Sequence, residues 1–179
     1  MKVVLDACVL YPTVLREILI GLAREGLYQP LWSPRILEEW ARAARKLGDT
    51  GEMQARAEIA LLRANWPRAE VHPKAADEAR LYLPDPNDVH VLAAAIAGSA
   101  DALLTFNARD FPRGTLADEG VTLLGPDAWI MDLWHAHPDT VENTARNVHA
   151  TAQDMAGEEI ALRALLKRAR LPRLGKALA

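Results

Sequence analysis

The sequence has few of the features that mark specialised classes of protein. Cys8 is the only cysteine, so the chain can form neither an internal disulfide nor a metal site built from several cysteines. No apolar run approaches the roughly 20 residues that a membrane helix needs. The N-terminal apolar run covers only residues 3–5 and does not have the pattern of a signal peptide. We therefore expect a cytoplasmic protein with no membrane association.

The chain also lacks a strong charge of either sign. Its formal net charge is -3, which excludes a basic nucleic-acid coat protein. It does not exclude nucleic acid as a substrate, because a site that gathers metal ions is acidic and its cations offset the repulsion of phosphates. Half of the 179 residues are hydrophobic and a quarter are charged, as in globular proteins. This length suits one domain with a helical appendage.

Several common catalytic motifs are missing. There is no GxSxG motif for a serine hydrolase and no glycine-rich loop for nucleotide phosphates. An aspartyl phosphatase could use Asp6 as its nucleophile, but it usually has a second aspartate where this chain has Cys8. His135 and His137 are two residues apart, so they point to different faces of a helix, and we expect them at the surface and not in a metal site.

The hydrophobic pattern predicts strands that alternate with helices. Apolar runs at residues 3–5, 27–32, 102–105 and 121–124 are typical of buried strands, and 69–72 is a further short candidate. Helical periodicity fills the segments between them. Such alternation predicts an α/β fold, a three-layer arrangement with a parallel sheet of four or five strands. We assign 1–130 to this domain and 131–179 to a C-terminal helical extension with a basic, frayed end.

Acidic and amide side chains follow the predicted strands. Asp6 comes directly after the first strand, and Asn107 and Asp110 come after residues 102–105. Ligands bind outside the carboxyl ends of the strands in an open parallel sheet. Asp88 lies in the first turn of a helix that runs back towards its strand, so its position does not follow from the sequence alone. Asp6 could also cap a turn, and Asp110 could be an ordinary turn residue. Asp85 is best explained as a helix cap.

Three segments carry a resemblance to a known family. They are VVLDACVLYP near the N-terminus, WSPRILEEW in the middle, and DPNDVHVLAAAIAGSADALLTFNARDF later in the chain. In this order and spacing they resemble the PIN-domain family, which includes the VapC-like toxin ribonucleases. The resemblance covers roughly residues 1–130. It implies a PIN-like fold and a metal-dependent endoribonuclease, the toxin of a type II toxin–antitoxin pair.

The resemblance also implies a set of site residues. The metal-binding acids of the family correspond to Asp6, to Glu39 and to Asp88, which would hold Mg²⁺ or Mn²⁺. A fourth acid is replaced by Asn107, which brings no charge, and Asp110 is the nearest carboxylate that could substitute. Thr105 and Ser33 are expected to support the site or to cap a helix, and not to react themselves. The implied partners are an RNA substrate, a cognate antitoxin and a second copy of the chain in a homodimer.

Three alternatives remain open at this point. Asn107 and Cys8 depart from the family pattern, which would also suit an inactive module that binds RNA or protein. Glu38 is next to Glu39 and could take its place. Three arginines of the same helix could contact phosphates, or they could pair with Glu38 and Glu39 on a solvated face; these are Arg35, Arg42 and Arg45.

Overall fold

Four short parallel strands form one sheet in the computed structural model, which describes residues 1–179. They are β1 (Lys2–Leu5), β2 (Gln29–Leu31), β3 (Ala102–Leu104) and β4 (Thr122–Leu124), in the order β2-β1-β3-β4. Consecutive residues of the central strands are fully buried, so both faces of the sheet are covered. The predicted α/β class with a parallel sheet is confirmed.

The register aligns the carboxyl ends of the three strands nearest the candidate site. Leu5 pairs with Leu104, and Leu104 pairs with Leu124. Residues 69–72, the candidate for a fifth strand, do not form one. A single bridge joins Trp32 to Glu70, and Pro73 soon removes a backbone donor from that segment. The sheet therefore has four strands.

Eleven helices accompany the sheet, and most of the longer ones follow the predicted periodicity. Two 3₁₀ turns, Ala44–Leu47 and Pro86–Asp88, directly follow or precede a helix. Helices α1, α7 and α11 were not predicted, because segments of four to six residues are too short to show a period. The helices are α1 (Ala7–Leu10), α2 (Thr13–Arg24), α3 (Pro34–Ala43), α4 (Gly51–Asn65), α5 (Ala75–Arg80), α6 (Val89–Ala97), α7 (Arg113–Asp118), α8 (Pro126–Ala136), α9 (Pro138–Ala156), α10 (Leu162–Arg168) and α11 (Pro172–Ala177).

The chain divides into two compact units. The first, Met1–Tyr11 with Gln29–Leu124, contains the whole sheet, and we call it the sheet unit. The second, Pro12–Tyr28 with Gly125–Ala179, is entirely helical, and we call it the helical unit. It includes α2 as well as the C-terminal helices. The boundary expected from the sequence, between residues 130 and 131, falls inside α8.

The C-terminal end of the helical unit is ordered, contrary to the prediction of a frayed tail. Leu171 and Leu174 are fully buried. The carboxylate of Asp127, in the first turn of α8, accepts hydrogen bonds from the backbone N–H groups of Arg173 and Leu174 at 3.1 and 3.3 Å. These are free donors at the start of α11, so Asp127 caps that helix from another element. No helix of the chain is both long and apolar enough to cross a bilayer.

Candidate functional site

Asp6 lies where β1 ends, beside the carboxyl end of β3. Its backbone N–H donates to the carbonyl of Leu104 at 3.2 Å, which continues the ladder of the sheet by one bond. The side chain is only 5% exposed, and the hydroxyl of Thr105 donates to its Oδ2 at 2.6 Å. Helix α1 begins at the next residue, but the Asp6 carboxylate makes no capping hydrogen bond to it. Capping therefore does not explain this buried aspartate.

Thr105 is the centre of a short chain of hydrogen bonds at the end of β3. Its hydroxyl donates to Asp6 and accepts from the backbone N–H of Asn107 at 2.9 Å. Thr105 is 1% exposed, so this arrangement is fixed by packing. The Asn107 side chain is exposed. The carbonyl of Asn107 accepts from the backbone N–H of Asp110 at 3.0 Å, which closes a turn.

Cys8 is part of the same network and is more than a small buried hydrophobe. Its Sγ lies 3.1 Å from Asp6 Oδ2 and 3.3 Å from Thr105 Oγ1, and it accepts from the backbone N–H of Phe106 at 3.3 Å. Burial, with the nearby charge of Asp6, raises the pKa of the Cys8 thiol to about 12. The thiol is therefore protonated at neutral pH and donates to the carboxylate.

Asp88 is the carboxyl group of the site whose pKa is most affected by its surroundings. Partial burial, followed by the charges of four neighbouring acids, raises the pKa of Asp88 to about 6. Those acids, in decreasing order of effect, are Asp6, Asp85, Asp110 and Glu39. The fold thus brings acids from distant segments of the sheet unit close enough to repel one another.

Asp85 and Asp88 differ in whether their side chains cap a helix. Asp85 accepts from the backbone N–H of Asn87 at 2.9 Å and from its side-chain amide at 3.0 Å, as expected for the cap of the 3₁₀ turn. Asp88 occupies the N-cap position of α6, but its side chain makes no capping hydrogen bond. Capping therefore does not explain the Asp88 carboxylate.

The two adjacent glutamates of α3 have different surroundings. Ser33 caps this helix by accepting from the backbone N–H of Ile36 at 3.2 Å, and burial of Ile36, Leu37 and Trp40 sets its rotation. Glu39 then lies with Oε1 2.8 Å from His90 Nε2 and 3.6 Å from Arg35 Nε.

Glu38 is held by arginines on the other side of the helix. It accepts from Arg42 at 2.9 Å and from Arg56 at 2.8 and 3.0 Å. Hydrogen bonds from Arg56 and then Arg42 lower the pKa of Glu38 to about 2. The charge of Glu39 contributes to the raised pKa of Asp88, whereas the charge of Glu38 is not among the causes of that shift. Of the two glutamates, Glu39 is therefore the one that lies near Asp88 and the other acids around it.

His90 is a site residue that the sequence analysis missed. It lies on α6 two positions after Asp88 and is 1% exposed. Its Nε2 is in close contact with Glu39, but neither ring nitrogen makes a hydrogen bond of good geometry. Such a side chain is costly to bury unless it meets a partner. The available signal was a single polar residue inside the apolar run of α6.

The residues of the acidic cluster suit a hard divalent cation in chemical kind. Asp6, Glu39, Asp88 and Asp110 offer only carboxylate oxygens, which Mg²⁺ and Mn²⁺ prefer. The charges of the other three acids add to the effect of burial in raising the pKa of Asp88. As the side chains stand, no group of three or more His, Cys, Asp or Glu residues is placed to hold a metal ion.

Each of the three arginines considered for phosphate contacts is paired with a glutamate. Arg35 lies near Glu39 and, at 4.0 Å, near Glu78. Arg42 pairs with Glu38. Arg45 is bound by both oxygens of Glu52 on α4 rather than by an acid of its own helix.

The sheet unit matches one known family. A family model described as a PIN domain matches residues 2–109, which is more than half of the chain. The chain belongs to the PIN-domain family. The matched segment of the PIN domain includes Asp6, Glu39, Asp88 and Asn107 and ends one residue before Asp110. No curated protein and no solved structure gives a significant match. PIN domains are generally nucleases, so the family indicates a nuclease-type hydrolase that acts on nucleic acid.

Proposed function

We propose that this PIN domain is an endoribonuclease that depends on a divalent metal ion. The observation that carries the proposal is Asp6, a buried carboxylate at the carboxyl end of β1 that caps no helix and lies near enough to Asp88 for the two charges to repel each other. A protein has little reason to maintain such repulsion unless a cation relieves it. The family supplies the nuclease chemistry, and the resemblance to VapC-like toxins favours RNA as the substrate.

Asp6, Glu39 and Asp88 would hold the ion, with Asp110 or Asn107 completing the oxygen set. When bound, Mg²⁺ or Mn²⁺ would supply an acidified water at neutral pH and neutralise charge on the phosphate oxygens. The protein contributes orientation. Thr105 and Cys8 hold Asp6 Oδ2 by hydrogen bonds, which fixes the direction of the other oxygen, Oδ1. Cation binding requires these carboxylates to approach one another more closely than their present side-chain positions allow.

The decisive experiment is cleavage by an Asp6→Asn variant. Wild-type protein and variant are incubated with purified total RNA and with a random-sequence 30-nucleotide RNA, in Mn²⁺ and in chelator. Loss of one ligand charge should lower the cleavage rate at least about 100-fold, because the remaining carboxylates attract a cation less strongly. Asp154→Asn, at an exposed position of α9, is the matched control and should cleave like wild type.

Two results would refute the proposal. One is equal cleavage by wild type and by Asp6→Asn after removal of contaminating nucleases. The other is wild-type cleavage that persists unchanged in chelator. The products of an active enzyme should carry a 5′-phosphate and a 3′-hydroxyl, which end-labelling with and without phosphatase treatment would reveal.

A non-catalytic PIN-like module is the second candidate. Two observations favour it. The neutral Asn107 stands in place of a fourth acid, and no three acidic side chains are positioned to coordinate one cation. Such a module would bind RNA or a protein without cutting, and Mn²⁺ would not change its thermal stability. We propose the role of a toxin with a cognate antitoxin, the homodimer and the cytoplasmic location on the VapC-like resemblance alone.

A further inference from the structure

A groove in the sheet unit leads away from Glu39. It has a volume of about 740 Å³, and three arginines line it together with Glu39 and Asn87; the arginines are Arg35, Arg42 and Arg63. Glu39 is a member of the acidic cluster, so the groove meets the cluster at this residue. It continues along the surface that α3 and α4 share. A strand of nucleic acid bound at the cluster would therefore run beside these guanidinium groups.

Two of these arginines use only one of their N–H groups in the hydrogen bonds described for them. Arg42 donates through Nε to Glu38 at 2.9 Å, and Arg63 donates through Nε to Glu70 at 2.6 Å. Neither of these hydrogen bonds uses the terminal Nη1 and Nη2 groups. Each glutamate thus anchors its guanidinium by one edge. The remaining edges are suited to phosphate oxygens, which guanidinium groups bind through paired N–H donors.

A second recess opens beside the groove and has an apolar floor. Its volume is about 350 Å³, and Leu37, Ile59 and Ala60 line it. The recess shares Pro34, Glu38 and Arg63 with the groove, so the two are continuous. Its volume falls at the lower end of the range of pockets that accept small molecules. Arg63 stands at the boundary, where a guanidinium plane can stack on a base.

We propose that groove and recess together form the path of a single-stranded RNA: phosphates lie on Arg42 and Arg63, and one nucleobase enters the apolar recess. This inference rests on the proposed ribonuclease function. A single strand is required because bases paired in an A-form duplex cannot turn into a pocket. Arg45 is not part of this path, since Glu52 holds its guanidinium and neither cavity includes it.

Binding is measured without cleavage, in the Asp6→Asn background, by fluorescence anisotropy with a 5′-fluorescein random 12-nucleotide RNA. Arg63→Gln should weaken binding five- to tenfold. It should also lower the slope of log K against log salt by about 0.7, the value for one lost phosphate contact on a single strand. Arg42→Gln should act similarly and serves as a second variant if Arg63→Gln folds poorly. Arg113→Gln, exposed on α7 and outside both cavities, is the matched control and should change neither quantity.

The recess is tested separately by Ala60→Trp. Ala60 is exposed on α4, so a large side chain there fills the recess without disturbing the core. It should weaken RNA binding several-fold and leave the salt slope unchanged, because no phosphate contact is lost. A duplex of the same length should bind at least tenfold more weakly than the single strand.

The proposal is overturned if Arg63→Gln and Arg113→Gln bind alike. It is also overturned if duplex and single strand bind equally, or if an acidic peptide but no RNA binds through Arg42 and Arg63. Because binding to the arginines is measured separately from cleavage, these outcomes are independent of the cleavage experiment. Cleavage by wild type together with unchanged binding by the arginine variants would reject the path and keep the nuclease.

Discussion

At the scale of single residues, the site depends on hydrogen bonds between side chains that are far apart in the sequence. Asp6 is fixed by Thr105, which is 99 positions away, and by the Cys8 thiol. Glu39 meets His90, a buried side chain of another helix. Residues in contact with a metal ligand orient it and limit the positions it can take. We therefore regard His90 as a positioning residue for Glu39.

Replacing His90 tests this role without relying on catalysis. His90→Gln keeps an N–H donor close to the place of Nε2, whereas His90→Leu fills the site and removes the donor. We expect His90→Leu to weaken Mn²⁺ binding about tenfold, in line with the usual cost of losing an outer-shell partner, and His90→Gln to restore most of it. Isothermal titration with Mn²⁺ in the absence of RNA measures both affinities. If the two variants lose the same affinity, His90 has only a packing role.

At the scale of elements, close helix packing determines which small residues the helical unit needs. A Cβ placed on Gly21 of α2 would lie 2.6 Å from Thr144 Cγ2 of α9, closer than two carbon atoms can approach. Thr144 also donates through its hydroxyl to the carbonyl of Thr140 at 2.8 Å. Glycine is therefore required at this crossing although it is a poor helix former.

We predict that Gly21→Ala lowers the free energy of unfolding by about 1 kcal/mol, because overpacking costs more than alanine gains in helix propensity. The double variant Gly21→Ala/Thr144→Ser removes the clashing methyl group and keeps the hydroxyl. It should recover at least wild-type stability. Urea denaturation of wild type, both single variants and the double variant measures the coupling. Strict additivity of the two substitutions would contradict the proposed clash.

At the scale of the whole molecule, stability is coupled to the charge of the acidic cluster. The net charge is -3, and the carboxyl of Asp88 has its pKa raised from 3.8 to about 6. Its folded-state pKa lies above the unfolded value, so the folded protein holds this proton more tightly. Stability from this group is thus lost as the pH rises from about 4 through about 6. A bound cation should restore it.

Asp88→Asn tests this coupling on the intact chain. In chelator at pH 7.5, the variant should be more stable than wild type, by the order of 1 kcal/mol after allowance for solvent screening. Below pH 4 the difference should disappear. On addition of Mn²⁺ wild type should gain thermal stability with occupancy, about 2.7 kcal/mol at 100 times its Kd, and the variant should gain less. Differential scanning calorimetry gives all these values. A wild type that does not respond to millimolar Mn²⁺ would favour the non-catalytic module.

Local sequence pattern was sufficient for most of the fold. The apolar runs and helical periods predicted all four strands and the longer helices, because burial of one face leaves a repeat in the sequence itself. The short helices α1 and α11 were not predicted, because a helix of fewer than two turns shows no hydrophobic repeat. The order of α11 depends on Asp127 of α8, a contact that no local pattern contains.

The sequence by itself determined the parallel α/β class, the family segments and the identity of the candidate acids. Only the tertiary structure decided that Glu39 rather than Glu38 joins the cluster, because that choice depends on how buried side chains rotate α3. It also decided that Asp6 and Asp88 do not cap, and that His90 contacts Glu39. These are contacts between distant segments, and such contacts are fixed by packing and not by the local propensities that a sequence displays.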